Sequence, residues 1–209
     1  MKLDELRGKL GYQGLLLGGA ALLTSAALAF ASRATAPDIQ AAEAADLKQS
    51  LTQVLTGEYD NDLLKDTVLL SGAAGEVTVY RARRAGRVEA VVYRVVGQGY
   101  AGSIQCVMGV SREGKIMGVR VIKHAETPGL GDKIEPAKSS WIHDFEGKKL
   151  GEPNADKWAV KKDGGVFDQF AGATITPRGV VRAVKGGLAF FAEQREKMLD
   201  ESSGKGAQP

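Results

Sequence analysis

The chain has 209 residues, 44% hydrophobic and only 6% aromatic, enough for one good core with appendages and too little for two full domains. Its formal net charge of +3 comes from Lys and Arg interspersed with acids, and no basic stripe with interleaved aromatics is present, which excludes a nucleic-acid-binding class. The single cysteine, Cys106, rules out an intrachain disulfide, a multi-cysteine metal or iron–sulfur site and a lipoprotein anchor.

From Gly11 to Ser32 there is no charged residue, and the Leu-, Ala- and Gly-rich run is long enough to span a bilayer as a helix. Lys2, Arg7 and Lys9 precede it and Arg33 alone follows closely, so the positive-inside bias leaves residues 1–10 cytoplasmic and the rest across the membrane. A cleaved signal peptide is the competing reading, because Ala29-Phe30-Ala31 forms an A-x-A site. Against it stand the length of the apolar run and the acidic Asp4 and Glu5 before it. Residues 33–70 read as a linker and helical segment: ASRATAP is a small-residue connector, and Asp38 to Leu55 has Leu47, Leu51, Val54 and Leu55 on one side of a helix ended by Gly57.

Residues 71–198 form the main domain. Four short runs, VTVYRA, VEAVVYRVVG, SIQCVMGV and IMGVRVIK, alternate apolar with polar residues between glycine-containing turns and predict a largely antiparallel meander. The basic residues of the turns ARRAGR and SREGK are expected to be solvated, and Cys106, inside a strand, to be a buried apolar thiol. Gly131 to Asp144 is expected to be short-helical or irregular, with Trp141, Ile142 and Phe145 covering a sheet edge. A last helix from Pro177 to about Met198 turns Val180, Val181, Val184, Leu188 and Phe191 inward. The tail, 199–209, reads as disordered. The predicted fold is α+β, a twisted mainly antiparallel sheet flanked by helices, with one N-terminal transmembrane helix.

Two stretches carry chemistry. In AGATITPRG, Ala171 to Gly179, a lone hydroxyl on Thr174 sits on a small-residue turn that runs into the last helix. Gly172 and Ala173 permit close approach to the backbone, Pro177 suits the first helical position, and Thr176 before it can cap. Amides at such a helix start attract anions such as phosphate. HAETPGLG, His124 to Gly131, follows the last strand; its Pro128, Gly129 and Gly131 give a backbone that can lie against a flat ring, while Thr127 offers a hydroxyl and Leu130 an apolar face. Each stretch can also be a plain turn. There is no GxSxG or Cys-His arrangement, and His124 and His143 have neither an i+4 partner nor a carboxylate pair at ligand spacing, so neither a catalytic triad nor a metal site is expected. Glu126 and Asp168 are acid and base candidates only if they converge. The GxGxxG spacing at Gly97–Gly102 is followed by a strand rather than a helix and fails as a nucleotide fingerprint.

Together DQFAGAT and HAETPGLG resemble the FMN-binding subunits of the Rnf (Rsx) electron-transport complex (RnfG, RsxG) and of the sodium-pumping NADH:quinone reductase (NqrC), over the whole length of the chain; the short chain and its helix PRGVVRAVKGG fit the RnfG type better. The resemblance implies that Thr174 is esterified to the phosphate of FMN, with Asp168 upstream. It further implies a flavin-facing loop of Glu126, Thr127, Pro128, Gly129 and Leu130, and an attachment turn of Gly172, Ala173 and Thr176. Ala171 departs from the Ser or Thr common in the family and leaves the acceptor hydroxyl untouched. A flavin transferase using FAD would install the covalent phosphodiester. The implied role is relay of electrons between membrane and peripheral subunits that link a nicotinamide or ferredoxin pool to ion movement, without turnover of a soluble substrate by this protein alone. The implied location is the inner membrane, single-pass, with the globular domain periplasmic. Two other classes stay open: a non-flavin membrane-anchored binding or assembly module, and a free-standing extracytoplasmic flavin reductase.

Overall fold

The computed structural model describes residues 10–72 and 75–201, with the side chains at 10, 40, 41, 43 and 44 excepted. The expectations for a cytoplasmic terminus over 1–9 and for a disordered tail over 202–209 lie outside the described residues. The chain divides into two units, 1–47 and 48–209.

The first helix, α1, runs from Leu10 to Gln53. Its stretch Gly11–Ile39 is long and apolar enough to cross a membrane, and Leu15, Leu16, Leu17, Leu22, Leu23, Leu28 and Phe30 all lie exposed along it. The expected ASRATAP connector is instead helical, with Pro37 inside the helix. Pro37 has no N–H for the carbonyl one turn back, a cost of about 3 kcal/mol. The alanines on either side of it, among the best helix formers, work in the opposite direction. Thr35 also donates its hydroxyl to the Ala31 carbonyl at 2.9 Å.

The second unit is built on five antiparallel strands in sequential order, β1 (Thr67–Gly72), β2 (Gly75–Arg84), β3 (Arg87–Gln98), β4 (Ser103–Ser111) and β5 (Ile116–Lys123). The four predicted runs are β2 to β5, and β1, TVLLSG, is an additional edge strand. Along β4 the pleat sends Ile104, Cys106, Met108 and Val110 to one face, where they join the main core. On the other face Gly109 pairs with Gly118 of β5, and the pair makes room for the chain at Val54: a Cβ on Gly109 would lie 2.2 Å from the Val54 carbonyl oxygen. Leu51, Val54 and Leu55 are thereby buried, each contributing about 1.5–3 kcal/mol.

The last helix, α2, spans Ile175–Met198 and buries Val180, Val181, Val184, Leu188 and Phe191 as its periodicity predicts. It meets β3 backbone to backbone: a Cβ on Gly97 would lie 2.4 Å from the Gly179 carbonyl oxygen, and one on Gly179 would lie 2.2 Å from that of Gln98. Tyr93 fixes the register along the axis by donating its buried hydroxyl to the Gly187 carbonyl at 2.8 Å, and its burial pushes the phenol well above its ordinary pKa. Between β5 and α2 the chain makes short 3-10 turns, including Ser140–Phe145, which buries Trp141, Ile142 and Phe145. The start of the expected tail is held: Arg81 donates to the Asp200 carbonyl at 3.1 Å, and Arg112 pairs with Glu201 at 3.1 Å.

The turn arginines are not all solvated. Arg83 is buried and, with Arg81, grips the Asp66 carboxylate at 2.5 and 2.7 Å. That carboxylate immediately precedes β1, the strand the periodicity does not reveal.

Cys106 is buried in β4, and burial pushes its thiol up to about 12. Because the folded pKa is raised, this group favours the fold below the ordinary thiol range, and the contribution is lost as pH climbs toward 12. Iodoacetamide at pH 8.5 is accordingly expected to leave native Cys106 unmodified and to alkylate it fully in urea, as read by intact mass; rapid native alkylation would contradict its burial.

Candidate functional site

Two tight turns face one another at the start of α2. Thr127-Pro128-Gly129-Leu130 is closed by the Leu130 amide donating to the Thr127 carbonyl at 3.1 Å, with Pro at the second position and Gly129 at φ +77° at the third. Phe170-Ala171-Gly172-Ala173 is closed the same way, Ala173 amide to Phe170 carbonyl at 3.1 Å, with Gly172 at φ +80°. A positive φ at the third position is the demand of a type II turn, and glycine meets it without strain. The second turn is anchored from behind: Phe167 and Phe170 are buried, Phe170 meets the Trp141 ring edge to face at 5.2 Å, and Trp141 donates its indole N–H to the Asp168 carbonyl at 2.8 Å. Leu130 lies over Gly172, whose Cβ would be 3.5 Å from its methyl carbon.

The space between the turns is a cleft of about 340 Å³ lined by Tyr100, Glu126, Thr127, Leu130, Gly131 and residues 172–176. Thr174 is the residue that caps α2 from outside, at φ −72°, and its side chain makes no capping hydrogen bond. The expected capping role of Thr176 is therefore corrected. The helix starts two residues earlier than predicted, Pro177 occupies its third position, where a missing amide costs nothing, and Thr176 lies inside the first turn. Its hydroxyl donates instead to the Glu126 carboxylate.

Glu126 is the buried tie of the site. Besides Thr176, it accepts from the Ala101 amide at 3.0 Å and the Tyr100 amide at 3.3 Å, so one carboxylate joins the β3–β4 turn, the loop after β5 and the start of α2. Its own amide donates to His124 Nδ1 at 3.1 Å. That bond leaves the proton on Nε2, which donates to Glu135 at 2.9 Å. Gly99 and Gly131 have no space for a side chain because the Glu126 side chain fills it, at 2.3 and 2.9 Å from their would-be Cβ positions.

Of the predicted residues, Glu126, Thr127, Leu130, Gly172, Ala173, Thr174 and Thr176 line the cleft together. Pro128 and Gly129 shape its turn from the solvent side. Asp168 is more than half exposed, pairs with Lys161 at 2.6 Å and does not line the cleft, so Glu126 and Asp168 do not converge as an acid–base pair. Gly131, the last residue of HAETPGLG, lines the cleft too, whereas Tyr100 and Ile175 are cleft residues that the sequence does not single out. Among the described residues no group of three metal-ligating side chains occurs.

The donor set suits a flavin mononucleotide. The Thr174 hydroxyl, which makes no capping bond, and the amides of a helix start could hold a phosphate, while Leu130 (44% exposed), Ile175 (46%) and Tyr100 (72%) present an apolar rim that a planar ring would cover. The cleft volume falls in the range of about 300–1,000 Å³ usual for cofactor sites.

Residues 99–189 match the family model of an FMN-binding domain, a span that contains the whole cleft. A crystal structure of Shewanella oneidensis NqrC aligns with a TM-score of 0.47 and 25% identity over 68% of this chain and 69% of that one. The G-type subunit of the ion-translocating oxidoreductase complex from Pseudomonas aeruginosa is 45% identical over 91% of this chain and 93% of its own length. Its counterpart from Cereibacter sphaeroides is 50% identical over 188 residues, 89% of this chain and 86% of its own. With 45–50% identity over about nine tenths of its length, the chain belongs to the family of G-type (RnfG) subunits of ion-translocating oxidoreductase complexes.

Proposed function

We propose that this chain is a membrane-anchored flavoprotein subunit that relays electrons through an FMN held on Thr174 by a phosphodiester, within an ion-translocating oxidoreductase complex. The observation that carries the reading is the Thr174 hydroxyl, without a capping bond, at the mouth of a cleft that lies wholly inside the FMN-binding match. When bound, the isoalloxazine supplies the redox chemistry, and the protein supplies position and electrostatics. The amides at the start of α2 favour the phosphate charge, Leu130 and Tyr100 exclude water from the ring, and Thr127 offers it a hydrogen bond. Esterification at the phosphate end leaves the ring electronics unaltered and keeps the cofactor from being lost outside the cytoplasm. Nothing in the cleft resembles a self-flavinylating site, so a separate transferase using FAD loads it.

Two expectations test this reading. Leu130→Ala opens the ring to water and Thr127→Val removes a hydrogen bond, while neither touches the attachment hydroxyl. Both variants are expected to keep flavin but to change its absorption, fluorescence and reduction potential in a redox titration beside the parent. Three identical titrations with identical spectra would remove the Thr127–Leu130 loop from the site. We further place the uncharged stretch Gly11–Ser32 in the inner membrane, with the N-terminus cytoplasmic and the globular unit periplasmic. A reporter that works only in the cytoplasm, fused after Pro209, is expected to be silent; an active fusion reverses the topology.

A further inference from the structure

The pairing of β2 with β3 ends at Val79 and Tyr93, although β3 continues to Gln98 beside β4. Residues 75–78 of β2 pair only with β1, so the β1–β2 hairpin splays away and leaves Arg94–Gln98 with an open edge. At the far end of β3 the Gly99 amide donates to the Gly102 carbonyl at 2.8 Å. Counting back by twos, residues 97 and 95 exchange their bonds with β4, and the N–H and C=O groups of Arg94, Val96 and Gln98 point out of the sheet, the Gln98 carbonyl alone being covered, by Gly179 of α2. Among the described residues no loop or side chain accepts from those amides. The wedge between hairpin and edge is a cleft of about 360 Å³ with a floor of small residues on α2, Gly179, Ala183 and Gly186. Val96 is 57% exposed beside it. Arg94 and Arg182 border the wedge, both exposed; neither has a carboxylate at ion-pair distance among the described residues, although the charge of Arg182 helps hold Asp163, the partner of Arg178, below the usual carboxylate range.

We infer that this open edge of β3 is a docking site for an extended segment of another protein of the complex, carrying an acidic side chain, which adds to the sheet as an extra strand. An edge with a row of unpaired donors and acceptors is a template for strand addition, and the small α2 floor gives the added backbone room. The two arginines select the partner. They repel a second copy of this same edge and attract a carboxylate. The inference rests on the chain being one member of a complex and is independent of the flavin.

The test is amide hydrogen exchange on the full-length chain in detergent and on the purified complex. Amides 94, 96 and 98 are expected to exchange freely in the isolated chain and at least about tenfold more slowly in the complex, while 95 and 97 stay protected in both. Val96→Pro removes one outward donor without touching the β4 ladder, and Arg94→Glu with Arg182→Glu reverses the charge; each is expected to lower recovery of assembled complex by at least about tenfold. Peptide mass at Thr174 in these variants separates the two readings, since flavin loading is expected to persist when docking fails. Equal exchange in both states, undiminished assembly of the charge-reversed chain, or protection of the isolated chain that disappears on dilution or on removal of residues 202–209 would overturn the inference.

Discussion

Thr174→Ala, made together with its flavin transferase, is expected to carry no covalent flavin at all, while Thr174→Ser carries part of the parental load. The serine keeps a hydroxyl at the same backbone position outside α2, so the phosphorus still has an acceptor; what it loses is the methyl group that limits side-chain rotation. The fold should survive both changes. The Thr174 side chain makes no capping bond and the helix is held by its buried face, so stability should stay within about 0.5 kcal/mol of the parent, as at surface positions. Tryptic peptide mass spectrometry reads the outcome directly. An unmodified Thr174 in the parent, or FMN found on Thr176, would overturn the assignment, and the second result would also conflict with the commitment of the Thr176 hydroxyl to Glu126.

Glu126→Ala is expected to have the largest effect on stability. It strips the acceptor from two backbone amides and from the Thr176 hydroxyl, and it leaves a cavity beneath Gly99 and Gly131. Each buried donor left unsatisfied costs about 1–3 kcal/mol; because the Tyr100 and Ala101 amides are only part-buried and can turn to water, a total loss at the low end for three donors, roughly 3–4 kcal/mol, is expected. Glu126→Gln keeps the shape and one acceptor oxygen and should lose about half as much. Thr176→Val should cost about 1–2 kcal/mol and, in a double-mutant cycle with Glu126→Ala, show a coupling of about 1 kcal/mol or more. Urea denaturation of the parent chain and of the four variants, the double variant included, measures these losses. Losses under about 0.5 kcal/mol for Glu126→Ala would mean that the carboxylate does not tie the three segments together.

Strands β2 to β5 are legible in the sequence because each is a run of eight or more residues with buried β-branched or aromatic side chains at its centre, set between glycine-containing turns. β1 is not legible: it is six residues long, sits at the sheet edge, and buries only Leu70 fully, so its alternation is weak. Having missed β1, the reading also misses Asp66, and with it the reason Arg83 is buried rather than solvated. The continuity of α1 through Pro37 escapes for another reason, since proline marks a break wherever the surrounding alanines do not outweigh it.

The site divides in the same way. Local turn chemistry announces TPGL and AGAT, each with a glycine where the backbone needs positive φ. The tie that organises them does not show, because Glu126 and Thr176 are fifty positions apart and no local pattern links them. The glycines at 97, 99 and 102 match a nucleotide fingerprint only by spacing. Gly97 is small so that α2 can touch β3, and Gly99 is small so that Glu126 can reach the turn that carries Tyr100.

The most direct test of the flavin on Thr174 is an absorption spectrum of the full-length protein, made with its transferase, after acid precipitation, washing and solution in denaturant. A free or merely folded-in cofactor is washed away by this treatment, whereas an ester to the chain is not. The expected result is a stoichiometric flavin band that stays with the denatured polypeptide and disappears in Thr174→Ala. A colourless denatured polypeptide, with the flavin left in the wash or absent from the start, would contradict the account.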